Sequence, residues 1–217
     1  MINGVRKKKG NSGYYQVLNQ LDLNVYNKNG KDLHRIKEVK MSAVYSSIPF
    51  DIYKSSIALF IAEILSKCLK EEVNNKALFN FLEAELIDLD NKDFDSQFHI
   101  RFLVTLSQYL GVSPNIDNHE LKYFDLLNGQ FTNDNSQHKH YTENTKDVFL
   151  AFNHDKVENK REILSVLLEY YRLHIDGFNT IKSKDVLEKV LNTWENTSIY
   201  FLDLAYYHRS ALAKTLC

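Results

Sequence analysis

The sequence predicts a mainly α-helical protein with a small β module at its amino-terminal end. Apolar residues recur at helical spacing from about residue 52 onward, and the 217 residues include only 2 Pro and 7 Gly, which usually interrupt helices. The β module is indicated within residues 14–45 by alternating apolar and polar residues next to an Asn-Gly pair. With 44% hydrophobic residues, the chain is able to bury a sizeable core.

The β module is predicted to contain a hairpin. Leu21, Leu23 and Val25 alternate with polar residues, and the Asn-Gly pair that follows suits a tight turn. The return strand is expected within residues 33–45, where apolar residues three apart indicate either a β-bulge or a helical turn. Because a single hairpin is not stable alone, we expect it to pack on the helices or to have partner strands that this chain lacks.

Residues 46–70 contain the most apolar helix. Ser47 and Asp51 are both candidate N-caps, and Pro49 suits the first turn. One wide helix face carries the residues Ile57, Phe60, Ile61, Ile64, Leu65, Cys68 and Leu69. We therefore predict that this helix lies centrally, with other helices packed around it.

Apolar stripes and capping residues predict five further helices. They are expected over 76–89, from 95 or 96 to 110, over 147–152, over 160–175 and from 183 to about 194. The apolar and aromatic tail 199–217 is expected to form one more helix or an extension. Residues 115–145 are polar, and Asn128-Gly129 within them indicates a short hairpin.

The charge of the chain is divided unevenly. Residues 1–40 hold nine Lys/Arg and three Asp/Glu, whereas the remainder holds 18 and 25, so that a net charge of −1 hides a basic amino-terminal part and an acidic body. This split suggests an anion-binding module, or else solvated surface charge. Two Cys form no disulfide framework, and neither a signal peptide nor a membrane-spanning run is recognised. A cytoplasmic protein without membrane contact is predicted.

Nothing in the sequence is typical of an enzyme. There is no Gly-rich phosphate loop, Walker pattern or Gly-x-Ser-x-Gly motif. Cys68 is interpreted as a small core residue, and Glu85 as a residue at the edge of its helix stripe. Asp88 and Asp90 are expected to be solvated or to cap a helix end. We therefore predict no catalytic residues and no cofactor.

Histidines are the candidate metal ligands. His119, His138 and His140 lie within 115–145, but no Cys accompanies them and their spacing matches no zinc pattern. We interpret them as solvated loop side chains and predict no metal site. His99 and His174, on or beside apolar helix faces, are interpreted as core or boundary residues whose hydrogen bonds are satisfied.

The basic amino-terminal part is the remaining candidate site. Its aromatic residues Tyr14, Tyr15 and Tyr26 are interleaved with cations, a combination that suits single-stranded nucleic acid, because cations contact phosphates and rings stack on bases. The alternative is that these tyrosines pack the hairpin. The candidate DNA-binding residues are Arg6, Lys7, Lys8, Lys9, Lys28, Lys31, Arg35, Lys37 and Lys40.

Four stretches of the sequence resemble the RecO family of bacterial DNA repair proteins, especially its Bacteroidetes-type members. They read GVRKKK, LDLNVYNKNGKDLHRIKEVK, YSSIPFDIYKSSIALFIAEILSKCLKEE and LLEYYRLHIDGF. The similarity runs from about residue 4 to 191 and is most specific in 33–70. It implies an OB-fold barrel followed by a helical domain, and a non-enzymatic mediator of the RecF recombination pathway that binds and anneals single-stranded DNA.

The resemblance also implies partners and a domain division. The partners are RecR, the acidic carboxy-terminal tail of single-stranded DNA-binding protein, and indirectly RecA, which such proteins help to load. The expected domains are a partial OB-fold over 1–45, a helical domain over 46–191 with an insertion at about 115–145, and a divergent extension over 192–217. The basic positions 6–9, 35 and 37 match basic positions of the family's barrel.

This chain departs from the family pattern at three places. It begins inside the segment that resembles the barrel, so an amino-terminal truncation is expected. Many members carry a four-cysteine zinc site corresponding to 115–145, where this chain has no Cys. The residues after about 192 show no resemblance. A second hypothesis therefore stays open, in which the helical part binds RecR or the partner tail and DNA binding is lost with the incomplete barrel.

Overall fold

The computed structural model describes residues 13–16, 18–26, 35–69 and 75–193. The expected turn at 29–30, the start of the predicted barrel at 1–12 and the tail after 193 lie outside them. The elements, in chain order, are β1 (Leu21–Tyr26), β2 (Arg35–Met41), α1 (Ile52–Cys68), α2 (Lys76–Asn91), α3 (Phe98–Tyr109), β3 (Tyr123–Asp125), β4 (Gln130–Thr132), β5 (Tyr141–Thr142), α4 (Thr145–Phe152), α5 (Lys160–His174) and α6 (183–193). The predicted class, mainly helical with a small β module, is confirmed.

Strands β1 and β2 pair antiparallel with a β-bulge. The register shifts by one residue between Asn24 and Val25, which leaves Lys37 without a residue opposite it. This extra residue explains the three-residue apolar spacing of β2, so the bulge interpretation of the sequence is confirmed. The pairs on the apolar face are Leu21–Met41, Leu23–Val39 and Val25–Ile36.

The centre of the helical part is α3, not α1 as predicted. Helix α3 packs against α1, α2, α4 and α5, and five of its apolar side chains are almost completely buried. Helix α1 buries the predicted stripe, including Phe60, Ile61 and Ile64, but leaves Leu59 half exposed. Leu59 lies on the side of α1 that faces solvent, so α1 is not surrounded by other helices on all sides. The Tyr171 hydroxyl donates to the carbonyl oxygen of Leu103 at 2.6 Å and fastens α5 to this centre.

Helix ends follow local capping with small differences from the prediction. Asp51 is the N-cap of α1 and accepts from the backbone N–H groups of Tyr53 and Lys54 at 2.8 and 3.0 Å. Helix α3 begins at Phe98, because the Asp95 side chain accepts from Gln97 in a turn before it. Leu69 is the C-cap of α1 and is partly exposed, so it does not belong to the buried stripe.

Residues 115–145 form a packed insertion with a small sheet in the order β4-β3-β5. The predicted hairpin with Asn128-Gly129 in its turn is confirmed. Gly129 has a φ of +63°, and a Cβ at this position would lie 2.8 Å from the Tyr170 hydroxyl oxygen, so only glycine fits without a shift. His174 Nε2 lies 2.8 Å from the Leu126 carbonyl oxygen, which joins α5 to the insertion.

Two of the three loop histidines differ from the solvated side chains that were expected, whereas His119 is exposed and stacks on Phe149. His138 is 16% exposed and stacks on Tyr141 with ring centroids 4.2 Å apart. His140 Nδ1 lies 3.2 Å from Glu169 Oε1. Burial lowers the pKa of His99 to about 3, and its Nδ1 has no hydrogen-bond partner among the described residues, so it is a core histidine whose hydrogen bonds are not all satisfied.

The part of the chain that the structure describes contains neither a cluster of metal ligands nor a membrane-spanning helix. No group of three or more His, Cys, Asp or Glu among the described residues could hold a metal ion, so the described side chains do not provide the ligands of a zinc site. None of the described helices is both long and apolar enough to cross a membrane.

Candidate nucleic-acid interface

The β1–β2 hairpin has an exposed polar face opposite its apolar one, which we call the outward face. Strand alternation and the pairs Asp22–Lys40, Asn24–Glu38 and Tyr26–Arg35 place these side chains on one side. All are exposed. The bulged Lys37 belongs to the same face, because its ammonium nitrogen lies 5.9 Å from the centroid of the Tyr26 ring. The structure therefore places Arg35 and Lys37 next to the Tyr26 ring, and Lys40 farther along the same face.

The charge of the outward face is moderate. Its three cations stand against two carboxylates, Asp22 and Glu38, so these residues contribute a net charge of +1. Lys40 Nζ lies 3.2 Å from Glu38 Oε1, but both side chains are more than half exposed. Solvent and salt screen an exposed ion pair of this kind, so the Lys40 ammonium remains accessible to a DNA phosphate.

Six of the nine predicted DNA-binding residues lie outside the described residues. They are Arg6, Lys7, Lys8, Lys9, Lys28 and Lys31. Their role in DNA binding stays a prediction. Of the other candidate aromatic residues, Tyr14 and Tyr15 are half-buried in a turn over 13–16, away from β1 in sequence.

A buried polar cluster joins the hairpin to the helices. This junction cluster consists of Ser46, Ser47, Ile48, Lys54 and Asp90. The Asp90 carboxylate accepts from the backbone N–H groups of Ser46, Ser47 and Ile48 at 2.7, 2.8 and 2.8 Å. Asp90 and Lys54 are each only 6% exposed. The cluster therefore fixes the segment between β2 and α1 against the end of α2.

Lys54 completes the junction cluster from the other side. Its ammonium donates to the carbonyl oxygens of Asp90 and Lys92 at 2.9 and 2.7 Å and to Ser47 Oγ at 2.9 Å. These two carbonyls belong to the carboxy-terminal end of α2, where helical carbonyls lack intrahelical partners and a positive charge is favourable. A buried lysine is thereby hydrogen-bonded by all three of its donors.

The expectation that Asp90 is solvated or caps a helix is wrong. Burial alone raises the pKa of Asp90, but hydrogen bonds from the amides of Ser46, Ile48 and Ser47 more than reverse this, so its pKa lies far below the ordinary value. One sequence signal could have identified this residue. A carboxylate near the carboxy-terminal end of a helix is unfavourable to the helix dipole, which indicates a compensating partner elsewhere.

A cleft of about 410 Å³ opens on the helical part between α2, α3 and the loop after α4. Its ionic lining residues are Glu85, Asp88, Lys92, Asp93, Asp95, Arg101 and His154. Arg101 and Lys92 are already paired, with Asp95 and Asp88 respectively. Burial and the nearby Asp88 raise the pKa of Glu85. An acidic peptide tail would meet the carboxyl groups of Glu85 and Asp93 here, so the lining of this cleft does not favour the binding of such a tail.

Cys68 is a core residue, as predicted, and burial raises the pKa of its thiol to about 12. We expect it to be unreactive in the folded protein, because the thiolate is the nucleophile and its population at neutral pH falls about 1,000-fold with such a shift. In a Cys217→Ser chain, a disulfide reagent should label the thiol in denaturant and leave the native protein unlabelled over the same time. Fast native labelling would contradict this burial.

The fold and this interface define a class of protein: a helical body with a basic β module fastened to it. Comparison with known proteins agrees. A family model described as "Recombination protein O C terminal" matches residues 49–185. The DNA repair protein RecO of Flavobacterium psychrophilum is 36% identical over 197 residues, which cover 85% of this chain and 82% of that protein. RecO of Bacteroides fragilis is 35% identical over 209 residues, covering 88% and 86%.

The chain belongs to the RecO family. It is accordingly similar to proteins of DNA repair, and the sequence-based recognition of this family is confirmed. The match of the family model begins next to the junction cluster and includes α1 to α5, whereas β1 and β2 precede it.

Proposed function

We propose that this chain is a non-enzymatic mediator of homologous recombination that binds single-stranded DNA through the outward face and helps to load RecA. The observation that carries the proposal is that Arg35, Lys37 and Lys40 lie on one exposed face of the hairpin, with the Tyr26 ring beside the first two. Membership of a family of DNA repair proteins supports it. The activity belongs in the cytoplasm, where the bacterial chromosome is repaired.

The mechanism requires capture and docking, and no bond chemistry. Lysine and arginine side chains of the hairpin contact phosphates, and affinity comes largely from the counterions that the DNA releases. The helical body, held to the hairpin by the junction cluster, presents the surfaces on which RecR and the acidic tail of single-stranded DNA-binding protein dock. This division assigns DNA contact to residues before about 45 and partner contact to residues 46–191.

Replacing the three cations of the outward face should weaken DNA binding and its salt dependence together. For Arg35, Lys37, Lys40→Ala, the slope of log affinity against log salt for a single strand should become shallower by about 2, because each lost phosphate contact removes about 0.7. Fluorescence anisotropy with a labelled oligo(dT) across a salt series measures this slope. The variant Lys7, Lys8, Lys9→Ala tests the other half of the basic module in the same way.

A matched variant controls for the loss of positive charge anywhere on the protein. Lys139, Lys156 and Lys189 are exposed on the helical body, and their joint replacement by Ala should leave the slope close to that of the parent chain. Affinity of the parent chain that is flat with salt, or an equal effect of both triple variants, would contradict the proposal.

The moderate charge of the outward face favours a second candidate function. Asp22 and Glu38 offset two of its three cations, which reduces the attraction for phosphates. In this case the chain is a helical docking module that binds RecR or the acidic tail peptide and has lost DNA binding. Pull-down of RecR, or tail-peptide binding, together with no measurable oligo(dT) affinity at low salt would favour this function.

A further inference from the structure

Among the residues that the structure describes, the aromatic ring of Tyr26 stacks on no other ring. It ends β1 opposite Arg35 and is 51% exposed. By contrast, Tyr109 in the helical part stacks on Phe81 with ring centroids 4.7 Å apart. Among the residues that the structure describes, the recorded contact of the Tyr26 ring is the Lys37 ammonium at 5.9 Å. One face of a phenol ring is thus presented at the surface between cations.

The geometry points to Tyr26 as the residue that stacks on an unpaired base, which makes the outward face prefer single-stranded over duplex DNA. This inference rests on the proposed function and adds the strand preference of the same site. Aromatic rings stack on bases of any sequence, because every base has a π-face. In a duplex these faces are already stacked on neighbouring bases, so a protein ring at the surface gains contact only with a single strand.

The spacing of the cations on β2 supports this role. Arg35 and Lys37 are two residues apart in the strand and lie on the same side of the sheet, so two cations border one ring. A distance of 5.9 Å is at the outer limit of a cation–π contact, so the ammonium is held only weakly by the ring and is able to contact a phosphate. Phosphate contacts on both sides of a stacked base fix the register of a strand, and such contacts are available on both single-stranded and duplex DNA.

Two substitutions at Tyr26 separate stacking from packing. The full chain is titrated into labelled oligo(dT) and into a labelled duplex of equal length. Tyr26→Leu should weaken binding to oligo(dT) by about 5- to 150-fold, the range that loss of one stacked base represents. Its duplex affinity should stay within about twofold, because the phosphate contacts remain. Tyr26→Phe keeps the ring and should retain the affinity of the parent chain for oligo(dT).

A spectroscopic variant gives an independent measurement. In a Trp194→Phe background, Tyr26→Trp places the remaining indole on the outward face, and its fluorescence should be quenched by oligo(dT) more than by the duplex.

The outcomes distinguish this inference from the proposed function. If the parent chain binds DNA but Tyr26→Leu leaves oligo(dT) binding unchanged, or weakens both ligands equally, the stacking role is overturned and the proposed function stands. If the parent chain binds neither ligand at low salt, both fall. Equal quenching of the indole by both ligands would also overturn the strand preference.

Discussion

Replacing Asp90 by Ala should lower the free energy of unfolding by about 3–5 kcal/mol, because three backbone N–H groups lose a charged acceptor in a buried site. Urea denaturation measures the effect. Asp88→Ala is the matched control on the same helix. Asp88 is 44% exposed and pairs only with Lys92 one turn away, so its loss should cost less than about 0.5 kcal/mol. A loss for Asp90→Ala as small as that for Asp88→Ala would show that the junction cluster contributes little to the free energy of unfolding.

The same variant should alter the pH dependence of stability. The pKa of Asp90 is depressed in the folded state, so its contribution is present above the ordinary value of about 3.9 and is lost as the pH falls toward the folded value. The parent chain should therefore lose stability below about pH 4. Asp90→Ala should show a smaller loss over this range, and parallel pH profiles for the two proteins would contradict the assignment.

The second large effect is expected in the core face of α1. Phe60→Ala should cost about 3–5 kcal/mol, because the ring is fully buried, its plane lies at 87° to that of the His99 ring of α3, and truncation leaves a cavity. Leu59→Ala is the neighbouring control. Leu59 is 50% exposed, so its replacement should cost less than about 1 kcal/mol. Urea denaturation of both variants measures the difference.

The comparison with Leu59→Ala tests whether the stability of the protein depends on the buried side of α1 alone. A similar loss for the two variants would show that Leu59 is covered in solution, and that α1 has apolar partners on both sides. A small loss for both would show that the helix contributes little to the core.

Features that depend on near neighbours in sequence were predictable. The apolar spacing of β2 indicated a bulge or a helical turn, and the bulge is the one that forms. Helix stripes and the turn at Gly129 followed in the same way, because the periods of 3.6 and 2 residues and the backbone freedom of glycine act locally. The inference that Tyr26 favours single-stranded over duplex DNA also required the pairing register of β1 and β2.

Contacts between distant parts of the chain were not predictable from these patterns. Asp90 was interpreted as a solvated or capping acid because its partners, Ser46 to Ile48, lie 42 to 44 residues earlier. The central position of α3 and the burial of His138 have the same origin. The sequence by itself determined the mainly helical class, the alternation of residues along the hairpin strands and the family to which the chain is similar. Only the tertiary structure decided which helix is central and how the hairpin is fastened, because packing and buried hydrogen bonds depend on residues that meet only in the folded chain.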